Sequence, residues 1–226
     1  MLRQPASPAR NVLLVFAASM LLLPRTQAIE EPDAQGLFPS DTTISSSVPS
    51  TFVGQAVTFT ANVNSPNGPI PDGETVVFYQ GHLLTEIELG TGITAGGVAT
   101  FTTSALPAGD HTIAARYGGD ATFEASHGTL KQLVSRYATT TTLQTEDMQQ
   151  PDGGSVCLVA TVTSNGGPTP TGQLFINKIG TLTLNGGIAR GCTGSLNNGL
   201  KFFKAAYRGD AANERSWSPV LKVRIG

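Results

Sequence analysis

The most chemically suggestive motif of this chain is the tripeptide Arg208-Gly209-Asp210, which animal cell receptors can recognise on exposed loops. It lies inside a repeated pattern, because Tyr207 and Asp210 have the spacing of Tyr117 and Asp120, ninety positions earlier. The earlier copy has no arginine. Glycine accepts a positive φ angle and aspartate accepts hydrogen bonds from nearby backbone amides, so the shared pattern is typical of a turn. We therefore interpret it as structural.

Other reactive groups form no recognisable site. The sequence contains no Gly-x-Ser-x-Gly elbow, and its three histidines fall on different predicted elements. Calcium would require convergent carboxylates, and the loop candidates are Asp120, Asp147, Asp152 and Asp210, which form no acidic run. Paired carboxylates for glycoside hydrolysis stay open, although most acidic residues fall at turns. We expect no catalytic residue, no metal and no cofactor.

Trp217 is the single tryptophan and a candidate ligand contact. It falls near the start of the last predicted strand, where the first copy has His127. An exposed aromatic ring can form a platform for a sugar. The alternative is that Trp217 packs at a sheet edge or between sheets.

The strands that position these residues are predicted twice. Residues 41–73 align with residues 138–172, where matched positions such as Thr42 and Thr141 are 99 apart, and the later parts align at a separation of 90. In each copy, short stretches alternate apolar and polar residues between turns rich in Gly, Pro and Asn. About seven short strands in about 95 residues indicate a Greek-key sandwich. The sequence predicts an all-β chain with domains over 41–135 and 136–226.

The first copy resembles the bacterial Ig-like domain repeats of large surface and secreted proteins. The resemblance rests on "TTISSSVPSTFVGQAVTFTANV", "PDGETVVFYQG" and "GVATFTTSALPAGDHTIAARYGGDATF". The second copy is more divergent but keeps "TTTTL", "PTPTG" and "AAYRGDAAN". The resemblance implies two tandem seven-stranded Greek-key Ig-like β-sandwiches and an extracellular, non-catalytic role, and it identifies no ligand.

The resemblance also implies roles for residues near the sixth strand of each copy. His111 follows Gly109 by two, where Ig-like domains often place the tyrosine of a tyrosine corner. Gly199 is the matching glycine, followed by Lys201 in place of the histidine. We interpret His111 as a structural corner residue, and Tyr117 and Tyr207 as core residues with polar tips.

The two cysteines are predicted to form a disulfide on the surface of a sheet. Alternation points Cys157 outward on the second strand and Cys192 outward on the fifth. These strands are neighbours in an Ig-like sandwich, so the two side chains can meet as a cross-strand pair. Free or intermolecular thiols are the alternative.

The start of the chain resembles a secretory signal peptide over 1–28. Arg3 and Arg10 precede the apolar stretch 12–23, and cleavage is expected after Ala28. An uncleaved membrane anchor is the alternative. Residues 29–40 are expected to be a disordered leader. Cleavage would leave a formal net charge of −5, which disfavours nucleic acid and anionic membrane surfaces as partners.

The leading hypothesis is an exported, non-catalytic Ig-like protein that acts in binding, adhesion or spacing at the cell envelope or outside the cell. The expected partner is a protein or polysaccharide of the envelope, with no stable membrane insertion after cleavage. A carbohydrate-binding accessory module and a structural subunit of a surface assembly are the alternatives. The joint over 133–143 contains no Gly or Pro, so limited hinge motion is expected.

Overall fold

The computed structural model describes residues 31–33, 35–81, 85–146 and 154–226, so the predicted signal peptide lies outside the described residues. Within these ranges every regular element is a β-strand, which confirms the all-β prediction. The same ranges contain no helix of the length and hydrophobicity needed to cross a membrane.

The first sandwich is built from two sheets. Its strands are β1 (Asp41–Ser46), β2 (Ser50–Phe52), β3 (Val57–Asn64), β4 (Thr75–Gln80), β5 (Ile87–Ile93), β6 (Val98–Thr103), β7 (Gly109–Tyr117) and β8 (Ser126–Ser135). One sheet has the order β1-β3-β6 and the other β2-β8-β7-β4-β5. Because β1 and β2 are two halves of a first strand that changes sheets, the chain follows seven strand paths, as predicted.

The second sandwich repeats this order with more interruptions. Its strands are β9 (Thr139–Thr145), β10 (Cys157–Ser164), β11 (Gln173–Ile176), β12 (Gly180–Thr183), β13 (Ile188–Cys192), β14 (Gly199–Phe203), β15 (Ala205–Tyr207), β16 (Ser216–Trp217) and β17 (Leu221–Ile225). β9, β10 and β13 form one sheet, whereas β12-β11-β15-β16 and the pair β14-β17 form the other layer. The predicted two tandem β-sandwiches are therefore present.

Each sandwich has its own hydrophobic core, produced by the alternation seen in the sequence. Val57, Phe59, Ala61 and Val63 of β3 are all buried, while the intervening Thr and Asn residues are not. In β10 the inward side chains Leu158, Ala160 and Val162 are buried in the same way. The two cores share no residue.

Phe38 and Ser40, just before β1 and within the range 29–40 that was expected to be a disordered leader, contact the first sandwich. Phe38 pairs with Phe123 in an isolated parallel bridge. The Ser40 hydroxyl donates a hydrogen bond to the Glu124 carbonyl at 2.7 Å. These contacts join parts of the chain far apart in sequence, so local composition did not indicate them.

Tyr137 takes the same place in the second sandwich and also forms the joint. Its backbone pairs with Asn213, and its N–H donates to the Ala212 carbonyl at 2.8 Å. Its ring stacks on Phe52 of the first sandwich, with centroids 4.8 Å apart. One residue therefore ties the second sandwich to the end of β2, through its backbone on one side and its ring on the other.

The last strand of the second sandwich has one extra residue relative to the strand that it pairs with, which shifts the register by one. Thr112 faces Lys131 in the first sandwich, whereas Phe202 faces Lys222 in the second. The strand is interrupted between β16 and β17, where Pro219 has no N–H to donate. The Ser218 hydroxyl accepts a hydrogen bond from the Ala205 N–H at 2.9 Å and replaces a ladder bond.

Candidate functional site

The Asp210 carboxylate is held by the backbone and side chains around it. One oxygen accepts hydrogen bonds from the N–H groups of Ala212 and Asn213 at 2.9 and 2.7 Å. The other accepts from the Tyr207 hydroxyl at 3.0 Å and the Asn213 side-chain amide at 3.1 Å. It also accepts from the N–H and the hydroxyl of Thr171, at 2.9 and 3.0 Å. Six donors therefore satisfy this carboxylate.

Asp120 closes the same turn in the first sandwich with fewer partners. One oxygen accepts from the N–H groups of Thr122 and Phe123 at 2.6 and 2.7 Å. The other accepts from the Tyr117 hydroxyl at 2.9 Å. The repeated Tyr-x-Gly-Asp pattern thus has one geometry in both copies, a turn closed by its own aspartate.

The electrostatics of both turns favour an ionised aspartate and a neutral tyrosine. Burial alone would raise the pKa of Asp210, but the hydrogen bonds from Thr171, Asn213 and Ala212 outweigh it and hold that pKa far below its usual range. The pKa of Asp120 is lowered in the same way. Burial, followed by the aspartate contact, raises the pKa of Tyr117 and of Tyr207 well above the ordinary value.

The Arg208-Gly209-Asp210 motif is split by this arrangement. Arg208 is exposed, whereas the Asp210 carboxylate is occupied by six donors from its own sandwich. A receptor that needs both charges would have to compete with those hydrogen bonds. The geometry therefore favours the turn interpretation.

His111 lies at the start of β7 in a buried position. A ring nitrogen is 2.7 Å from the Pro107 carbonyl, a hydrogen bond that spans the corner four residues upstream. Gly109 precedes it with φ +145° and Gly199 holds the matching place with φ +115°, both in the region that favours glycine. Lys201, which replaces the histidine in the second copy, is half-buried.

The predicted disulfide between Cys157 and Cys192 is present. The two residues face each other directly in the pairing of β10 with β13. Cys157 is half-buried and Cys192 is exposed, as expected for outward positions. Since these are the only cysteines of the chain, neither thiol is free.

The calcium candidates do not converge in the part of the chain that the structure describes. Asp120 and Asp210 each serve their own turn, and Asp147 and Asp152 lie outside the described residues. No cluster of three His, Cys, Asp or Glu side chains with the spacing of a metal site occurs among the described residues.

Trp217 lines an open groove of about 850 Å³ beside the joint. The groove is also lined by the cations Arg136, Arg208 and Arg215 and by the carboxylates of Asp210 and Glu214. The Trp217 side chain is 53% exposed, so it is not a core residue. The Arg215 guanidinium lies over its ring, 5.4 Å from the centroid, a cation–π arrangement. The groove presents to the solvent an aromatic face beside three cations, the exposed Glu214, and Asp210, whose carboxylate is bonded within its own turn.

The arginines of the groove are not apparent from the charge of the whole chain, because the two copies carry opposite net charge. Residues 41–135 contain eight acidic and two basic residues, a formal net charge of −6. Residues 136–226 contain five acidic and nine basic residues, a formal net charge of +4. Counting charge in each copy separately would have indicated a basic second sandwich.

Comparisons with known proteins agree with the fold. Residues 42–135 match the family model described as Bacterial Ig-like domain (group 3). No curated protein sequence is significantly similar to the chain. The solved structure of invasin, described as a bacterial integrin-binding protein, is similar over 81% of this chain with a TM-score of 0.52 and 17% identity. The chain spans only 38% of the invasin chain, and this likeness shows the fold alone.

Weaker structural similarities extend to two other proteins. The adhesin InvE of Yersinia pseudotuberculosis aligns with 81% of this chain and 59% of its own, with 15% identity and a TM-score of 0.40. The fibronectin(III)-like modules of Clostridium thermocellum CbhA align over 81% of this chain and 94% of theirs, with 15% identity and a TM-score of 0.31.

Proposed function

We propose that this chain is an exported, non-catalytic protein. The proposal starts from the match of residues 42–135 to the bacterial Ig-like domain family. The chain acts by binding, adhesion or spacing at the cell envelope or outside the cell. Its partner is a protein or polysaccharide of the envelope.

The observation that carries the proposal is the exposed groove around Trp217. The Trp217 side chain is 53% exposed, so it contributes less to stability than a buried aromatic side chain would. Arg136, Arg208 and Arg215 line the groove with it, next to Asp210 and Glu214, and none of the three arginines belongs to an ion pair within the described ranges. Such a surface is better suited to a ligand than to the stability of the sandwich.

The groups that a catalyst would use are engaged in the fold. Asp120 and Asp210 accept hydrogen bonds from their own turns, and a ring nitrogen of His111 contacts a backbone carbonyl. The two cysteines are bonded to each other. This engagement supports a role in binding rather than in chemistry.

The joint supports a role in presenting the groove at a defined position. Tyr137 stacks on Phe52, and the Val53 N–H donates to the Ser135 carbonyl at 3.0 Å. β2 pairs in parallel with the end of β8 immediately before the joint. These contacts favour a restricted hinge, which would benefit an adhesin or a spacer.

Export is supported by the disulfide, since such bonds persist in oxidising compartments. The test has two parts. Mass spectrometry of protein recovered from outside the cytoplasm should find Ile29 as the first residue. The purified, oxidised chain should then bind saturably to envelope fragments of the producing cell. Recovery only from the cytoplasm, or binding that never saturates, would contradict the proposal.

A further inference from the structure

We propose that the outer face of the second sandwich binds an acidic polysaccharide. This face is formed by the outward residues of β11, β12 and β14–β17, and we call it the aromatic–basic face. The inference rests on the proposed function and deepens it, because the Trp217 groove is one end of this face. It names both the surface and the chemical class of the ligand.

The register of the strands places two aromatic rings in one row across the sheet. Phe175 faces Ala206, and Ala206 faces Trp217. Neighbouring strands lie about 4.8 Å apart, so the two ring-bearing positions are about 10 Å apart, with a small side chain between them. Phe175 is 41% exposed and Trp217 is 53% exposed. The row is an open trough with an aromatic ring on each side.

The apolar surface continues along the sheet beyond this row. Phe202 and Leu200, at outward positions of β14, are 48% and 53% exposed. They face Lys222 and Arg224 of β17. Aromatic and aliphatic side chains thus alternate with cations along the face rather than forming one apolar patch.

The face is strongly basic. Five exposed cations lie on these strands or directly next to them, two of them within β17; they are Lys204, Arg208, Arg215, Lys222 and Arg224. The strands themselves, all of them described, contain no Asp or Glu. Next to them, at the Trp217 groove, lie the exposed Glu214 and Asp210, whose carboxylate is bonded within its own turn. Neither ion pair within the described ranges involves any of the five cations. Their charge therefore remains available to an anionic ligand.

The corresponding face of the first sandwich lacks these features. Arg116 occupies the place of Ala206, and its guanidinium pairs with the Glu86 carboxylate at 2.7 Å. The same guanidinium lies over the Tyr79 ring, 5.0 Å from its centroid. His127 stands where the second copy has Trp217. The core is repeated, but the aromatic–basic face occurs in one copy.

An acidic polysaccharide matches this combination of groups. The apolar face of a sugar ring stacks on an exposed aromatic ring, while a guanidinium pairs with a carboxylate through two parallel hydrogen bonds. Arg208 and Arg215 lie two residues along their strands from the aromatic row, about 7 Å away. One stacked sugar could therefore reach a cation with its carboxylate.

A protein interface would share the aromatic rings and arginines of this face, but such interfaces are depleted of lysine. Because Lys204 and Lys222 are exposed here, a protein partner fits less well. Nucleic acid would also use aromatic rings and cations, and the acidic first sandwich of another copy could be attracted to this face. Both are outcomes that the experiment separates from the proposal.

The test measures binding of the purified full chain to polygalacturonate, with neutral dextran as the uncharged probe. Each exposed ion pair contributes little, so Arg208→Gln with Arg215→Gln should weaken polygalacturonate binding by between about twofold and about thirtyfold. Trp217→Ala should weaken it about fivefold through loss of stacking. Dextran should bind much more weakly than polygalacturonate, and added salt should weaken the polygalacturonate complex.

The matched control is Lys131→Gln with Lys178→Gln. It removes the same amount of charge, but Lys131 lies in β8 of the first sandwich and Lys178 in the turn between β11 and β12. Polygalacturonate affinity should change by less than about twofold. Because all substituted side chains are exposed, the midpoint of thermal unfolding should be retained in every variant, which separates loss of binding from loss of folding.

Four results would overturn the inference. They are absence of polygalacturonate binding, equal loss in the control, equal affinity for a single-stranded oligonucleotide with the same dependence on the face, and self-association that the face variants abolish. If polygalacturonate does not bind but envelope fragments still bind saturably, the polysaccharide inference fails and the proposed function stands. If polygalacturonate binds but envelope fragments do not, the proposed function fails and the polysaccharide inference stands.

Discussion

Replacing Asp210 by alanine should selectively destabilise the second sandwich. The substitution removes the acceptor of six hydrogen bonds. Solvent can replace the bonds to exposed Thr171, but Tyr207 and Asn213 are almost fully buried. Hydrogen bonds to a charged group contribute about 1.5–3 kcal/mol each, so loss of the two from these side chains should lower the free energy of unfolding by about 3–5 kcal/mol.

The assay is urea unfolding followed by the fluorescence of Trp217, which is the single tryptophan and lies in the second sandwich. Asp120→Ala is the matched control, since it removes the equivalent turn from the first sandwich and should leave the Trp217 transition almost unmoved. Asp210→Asn keeps the shape of the side chain but loses the charge, and it should fall between the wild type and the alanine variant.

The pH dependence gives the same prediction an independent check. The folded-state pKa of Asp210 is lowered, so its contribution to stability is present above the unfolded value of about 3.9 and is lost as the pH falls below it. The urea midpoint of the Trp217 transition should decline below about pH 4, and Asp210→Asn should reduce that decline. Equal shifts for Asp120→Ala and Asp210→Ala, or a shift below about 1 kcal/mol for Asp210→Ala, would refute the reasoning.

Three further perturbations test the disulfide, the joint and the corner. Replacing Cys157 and Cys192 by serine opens a loop with a sequence separation of 35 and should cost the second sandwich about 3 kcal/mol in urea unfolding, with no shift for the first. Phe52→Ala removes the ring stacked on Tyr137; solution scattering should show a wider range of inter-sandwich distances, and an unchanged profile would argue against a stacked joint. His111→Ala leaves a buried site without its hydrogen bond and should lower first-sandwich stability by about 1–3 kcal/mol in calorimetry, whereas no shift would contradict a corner role.

The sequence predicted the features that depend on local alternation. The inward residues of β3 and β10 could be read from a period of two, and the same alternation placed Cys157 and Cys192 on one outer face. Burial of one face is the strongest constraint on a strand, so it leaves the clearest pattern in the sequence.

Contacts between distant segments could not be predicted in this way. Phe38 and Tyr137 each form a bridge to a loop more than seventy residues away, and their surroundings in the sequence resemble a leader and a linker. The aromatic row of the second sandwich depends on which strands are neighbours and on their register. Alternation marks Phe175 and Trp217 as outward, but it cannot say that they share a row.

The difference between the two copies indicates where function resides. Both copies keep the buried tyrosine, its aspartate and the alternating core, because changes at those positions are costly. Outward positions are free to change at little cost in stability, yet the second sandwich has acquired a net charge of +4 against −6 in the first. Drift alone would scatter charges of both signs over an outer sheet. Here five cations lie on or next to strands that contain no Asp or Glu, with Glu214 and the turn-bound Asp210 as the carboxylates of the adjoining groove. Since mutual repulsion disfavours such clustering of cations, a bound anion would compensate for it.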